Sequence, residues 1–217
     1  MKLKNYALIP LLCFLRGPAA GCGQVQVTIE DISRPPQETS GDKKYADVFK
    51  PWDGIWEGKF FVYVDERGQS ETAAQPKNLS REHFETLPLK QQLVLEVRQE
   101  YRSESPYFQR VKIIDKYLTE AGEEKVLESR GVNKIQDGKM WCVVVKPDET
   151  VIHSGTRGDE HTIIWQRELH EPIKIEYFKE TVSDSTYSIL GWGYYGNDKP
   201  HLSPRYWFRG EYKRIDH

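Results

Sequence analysis

Side chains able to do chemistry are scattered along this chain, without the spacings that make a reaction centre. The six histidines, His83, His153, His161, His170, His201 and His217, show no H-x-H, H-E-x-x-H or Cys/His pattern that would set two ligands on one metal, so no metal site is expected. There is no G-x-S-x-G elbow and no P-loop, and the chain is not expected to be an enzyme. Gly191-Trp192-Gly193-Tyr194-Tyr195-Gly196 has G-x-G-x-x-G spacing, but aromatics separate its glycines and no helix follows whose amides would bind an anion. It predicts a strand whose backbone passes close to a neighbour or a ligand. Cys142 sits among Met140, Trp141, Val143 and Val144 and reads as a buried, inert thiol. Asp115 shares a face with Val111, Ile113 and Tyr117, where a carboxylate needs a partner such as Arg98 or Arg130. None of these groups calls for a cofactor.

The composition narrows the classes further. Across 217 residues, 31 Lys+Arg against 33 Asp+Glu give a formal charge of -2, which leaves no basic footprint for nucleic acid. No stretch approaches the ~20 apolar residues a spanning helix needs. An aromatic content of 12% points to one packed domain instead of a disordered chain.

The N-terminus reads as a processing signal over residues 1–21. Lys2 and Lys4 precede an apolar run from Tyr6 to Leu15, then Arg16-Gly17-Pro18, and then Ala19-Ala20-Gly21 before Cys22. The last four residues resemble the lipobox of bacterial lipoproteins. That resemblance implies that Cys22 becomes the lipidated N-terminus and holds the protein at a membrane of the cell envelope, on the periplasmic or outer surface. Ordinary signal-peptidase cleavage after the same small residues is the alternative. With Cys13 removed and Cys22 acylated, Cys142 is left alone and no intramolecular disulfide forms. Residues 22–50, polar and Pro-punctuated without sustained periodicity, read as a flexible tether, in which a short strand around Val25 to Ile29 has no support from the pattern.

Residues 51–217 alternate apolar and polar side chains in short segments separated by turn signals. Trp56, Gly58, Phe60, Val62 and Val64 share one face of the first strand, Leu93, Leu95 and Val97 one face of the second, and Val111, Ile113 and Tyr117 one face of the third. Seven more strands follow up to Arg205–Arg214, with Asp137-Gly138 as a hairpin turn. The fold expected is all-β: a single antiparallel up-and-down barrel of about 8–10 strands. Between strands one and two, Ser80 caps a short helix that Pro88 ends, predicting a lid from Ser80 to Leu87 over one end of the barrel.

Asp53-Gly54-Ile55-Trp56 resembles the G-x-W signature of the calycins, the superfamily of lipocalins, fatty-acid-binding proteins and nitrobindin-like proteins. The likeness covers roughly Pro51 to Arg214. It implies that Trp56 plugs the closed end of the barrel and that a late-strand Arg, Arg209 or Arg205, packs across it as a cation–π contact. The helical insertion and the strand number resemble the fatty-acid-binding and nitrobindin-like branches, and Trp56-Glu57-Gly58 partly matches the latter. Those branches imply a haem-ligating wall histidine, His153 or His161 by position, though His161 follows Arg157–Glu160 and reads as an exposed turn residue. They also imply an interior Arg and Tyr for a ligand carboxylate, Arg130 and Tyr177, though Arg130 alternates with Glu128 and Lys134 as on an outer face.

The function expected is binding of a small hydrophobic or amphipathic molecule, with Phe60, Val62, Leu95, Val97, Val111, Ile113, Tyr117, Ile175 and Tyr177 as lining. The alternative is a non-enzymatic assembly lipoprotein that meets an unknown protein partner through outward aromatics such as Phe61, Tyr63 and Trp207.

Overall fold

Residues 34–70, 79–119 and 121–215 are described by a computed structural model of the protein. The expected signal segment, the Cys22 expected to carry lipid and the stretch from Val25 to Ile29 lie outside these residues.

Ten strands form one closed antiparallel barrel: β1 (Gly54–Asp65), β2 (Leu89–Ser105), β3 (Phe108–Leu118), β4 (Glu124–Gln136), β5 (Lys139–Val145), β6 (Thr150–Arg157), β7 (Thr162–His170), β8 (Ile173–Val182), β9 (Thr186–Gly196) and β10 (Tyr206–Arg214). Each strand pairs with its sequence neighbours, and β10 closes on β1 with Trp56 opposite Arg214 and Val62 opposite Phe208. Period-two alternation produces this closure, since an apolar inner face is buried once and no strand edge remains unpaired. The β4–β5 hairpin turns through Asp137 and Gly138, both at positive φ (53° and 68°), as a two-residue turn of this kind requires.

The expected tether ends earlier than residue 50. Two 3₁₀ turns, Lys43–Tyr45 and Lys50–Trp52, carry Val48, Phe49 and Trp52 into the base of the barrel, where all three are buried. Phe49 stacks on Trp165 at 6.3 Å, and the Asp42 carboxylate accepts the Gly138 amide at 2.7 Å, which ties this segment to the β4–β5 turn. The trio lacks strand periodicity because it fills the end of a ring and does not form part of its wall.

Trp56 is fully buried on that plug, donating its indole N–H to the Trp52 carbonyl at 2.8 Å. The cation over its ring is Arg214, 4.3 Å from the centroid, and neither Arg209 nor Arg205 takes that place. Arg209 stands opposite Phe61 on the outer face and pairs with Glu211 at 2.6 Å, while Arg205 pairs with Asp198 at 3.4 Å.

The helix α1 (Arg81–Thr86) forms as expected, with Ser80 Oγ accepting the His83 amide at 3.1 Å, but it is not a lid. Leu79 and Phe84 are buried against the outer wall, where Phe84 meets Tyr63 at 5.6 Å and Trp207 at 6.2 Å edge to face. Trp207 is thus only 2% exposed, and two of the three outward aromatics expected to meet a partner are covered by the protein's own helix.

Candidate functional site: the barrel lumen

The interior is sealed at the plug, and part of its inner face above the plug keeps solvent-accessible surface. Phe60, Ile113, Asp115, Cys142, Phe178 and Glu180 all point inward, yet each keeps solvent-accessible surface. A side chain facing the axis of a closed wall retains such surface only where a water-sized space adjoins it, because close-packed interiors leave none. The glycine-rich run of β9 helps to clear this space. A Cβ on Gly191 would lie 2.6 Å from the Phe178 ring, and one on Gly193 would lie 2.8 Å from the Tyr195 ring, so the missing side chains let these rings lie flat on the wall. The close neighbours expected for this motif are therefore aromatic side chains and, at Gly191, also the Tyr177 carbonyl, 2.5 Å from where a Cβ would lie.

Seven of the nine expected lining residues, Phe60, Val62, Leu95, Val97, Val111, Ile113 and Tyr117, belong to this inner cluster. Ile175 and Tyr177 do not. They lie on the outer face, where Tyr177 stacks on Trp192 at 5.3 Å beneath Leu79. The inner face of β8 is Lys174, Glu176, Phe178, Glu180 and Val182, a set whose charges read from sequence as the wet side.

Those charges build a network near the end remote from the plug. Glu176 accepts the Tyr195 hydroxyl at 2.8 Å, lies 3.0 Å from His153 Nε2 and 3.7 Å from Arg167. Arg167 also pairs with Glu149, which accepts Lys174 Nζ at 2.7 Å. Burial alone would raise the Glu176 carboxyl, but the His153 contact, the Arg167 charge and the Tyr195 hydroxyl together hold it down to about 2. His153 is thus committed to Glu176 and lies edge-on to Phe178 at 5.7 Å, while His161 is an exposed turn residue beside the plug.

Deeper in, the polar groups are under-satisfied. Glu180 hydrogen-bonds the Trp165 indole and the Tyr187 hydroxyl, but burial outweighs them and pushes it up to about 7. Burial likewise raises Asp115 to about 6, against a weaker pull from Lys146. Neither expected partner reaches Asp115, since Arg98 faces outward to Glu57 and Glu100, and Arg130 outward to Glu128 at 3.0 Å. Ser129 Oγ, Asn133 Oδ1 and the Tyr212 hydroxyl are buried with no hydrogen-bond partner. The Cys142 thiol is pushed up by burial, consistent with an inert side chain, although it faces the lumen.

An outer groove of about 710 Å³ on β2 to β5 is lined by Arg102, Arg110, Lys112 and Arg130. These cations pair locally with Glu104 and Glu128 at 2.9–3.3 Å, which leaves the lumen as the better site.

No family model matches the sequence, and no curated protein matches it. Among solved structures the chain is similar to a redesigned beta barrel, at 12% identity and a TM-score of 0.35, over 79% of this chain and 97% of that one.

Proposed function

We propose that this protein is a calycin-type envelope lipoprotein that binds, without transforming it, one small amphipathic molecule in its barrel lumen. The observation that carries this reading is the accessible surface kept by Phe60, Ile113, Phe178 and Glu180 inside a wall whose base is sealed by Phe49, Trp52 and Trp56. Apolar rings along the wall bury a hydrophobic body, and the few convergent polar groups fix its orientation, the usual division of labour in ligand cavities. Lipidation of Cys22 would hold the barrel at a membrane surface, where sparingly soluble amphiphiles are found.

Native mass spectrometry of the protein purified from its own host tests both halves. The expected spectrum has a mature chain beginning at acylated Cys22 and carrying one small molecule per barrel. A bare chain would count against the binder, and a chain still beginning at Met1 against processing.

A further inference from the structure

Two carboxylates face the lumen without a cation. Among the described residues no Lys, Arg or His lies within ion-pair distance of Asp115 or Glu180, and Lys146 acts on Asp115 only from further off. The other inward acids, Glu149 and Glu176, each have basic partners. Register puts Asp115 in one ring of inward positions with Val97, Gly58 and Tyr212, and Glu180 in the next ring with Ile189 and Gly210. The Tyr212 ring turns over Gly210, where an added Cβ would lie 2.8 Å from its hydroxyl. Tyr212 is 3% exposed, and its buried hydroxyl has no hydrogen-bond partner and is within electrostatic reach of both carboxylates. Aromatic faces stand beside them, with Phe60 on Phe208 at 5.9 Å, Phe178 against Phe208 at 5.3 Å and Tyr187 on Tyr212 at 5.0 Å.

This combination discriminates among ligand heads. A carboxylate head meets like charge, and a neutral head leaves two desolvated acids uncompensated. A protonated amine supplies the missing charge, donates to Asp115, Glu180 and the idle Tyr212 oxygen, and is attracted by the ring faces. We propose that the lumen selects an amphipathic amine, its ammonium held by Asp115, Glu180 and Tyr212 and its apolar body on Phe60, Phe178 and Phe208. The proposal rests on lumen binding and names the class of ligand.

Affinity for an amine follows from ionisation of the two acids. Glu180 is faced by Trp165 from β7, Tyr187 from β9, Tyr212 from β10, Tyr101 from β2 and Cys142 from β5, and Asp115 by Tyr212 and Lys146. Both acids lose protons between about pH 5 and 8, so amine binding strengthens over that interval and releases protons.

Calorimetric titration of the mature protein with decylamine, decanol and decanoate tests this. At pH 8 decylamine is expected to bind at least about tenfold tighter than decanol, with decanoate weakest. Glu180→Gln and Asp115→Asn should each weaken decylamine binding enough to erase most of that preference, and the decylamine affinity of the unmodified protein should fall roughly tenfold by pH 5. Decanol or decanoate binding as tightly as decylamine, or both variants keeping the preference, would overturn amine selection and leave lumen binding intact. Failure of all three probes to bind would overturn both.

Discussion

Glu176→Ala is expected to destabilise the barrel by about 3–5 kcal/mol, the range for removing one partner of a buried charge pair. The variant strands Arg167, itself 8% exposed, with Glu149 as its remaining partner, and leaves the Tyr195 hydroxyl and His153 Nε2 without an acceptor that joins β8 to β6 and β9. Part of this loss depends on pH. Because the folded state holds Glu176 down to about 2, against an ordinary value of 4.5, its contribution is fully present above pH ~4.5 and is lost as pH falls towards 2. Urea unfolding at pH 7 and pH 3 should therefore show a gap between the parent protein and Glu176→Ala that narrows in acid. An equal gap at both values would place the effect in packing.

Trp56→Ala is expected to cost a similar 3–5 kcal/mol, lowering the melting temperature by roughly 10 °C for a domain of this size. The indole has no exposed surface, meets Tyr187 edge to face at 5.6 Å, lies under Arg214 and holds the plug through the Trp52 carbonyl. Arg214 contributes to the same base in another way, donating to the carbonyls of Pro51, Asp53 and Asp184. Arg214→Lys keeps the charge but lacks the planar fork that serves three acceptors, so it should behave more like Arg214→Ala than like the parent. The two sites share one contact, and Trp56→Ala combined with Arg214→Ala should lose less than the sum of the single losses. Strict additivity by calorimetric melting would show the plug residues acting independently.

The barrel itself was legible because its wall obeys one rule: alternation located the strands, and Asp137-Gly138 located a hairpin. Where alternation was ambiguous the reading slipped by one residue. On β10 both faces are aromatic, so parity alone did not separate Arg209, which faces out beside Trp207, from Arg214, which faces Trp56. On β8 the inward residues include Lys174, Glu176 and Glu180, and charge was mistaken for the solvent side, which hid the polar network and one of the two lumen acids. Asp115 was legible as an inward acid, but its lack of a partner depends on which way Arg98 and Arg130 turn. The plug carries no period, and Phe84 with Tyr63 and Trp207 formed two halves of one contact that sequence shows only separately.

The central claim is that this wall encloses a usable space, and titration with the uncharged fluorophore N-phenyl-1-naphthylamine tests it directly. The parent protein should show one saturable site per chain with blue-shifted emission. Ile113→Trp, which places an indole where Ile113 now borders the open lumen, should abolish that site while still unfolding cooperatively. No saturable signal from the parent, or undiminished binding by a folded Ile113→Trp, would contradict a hollow barrel.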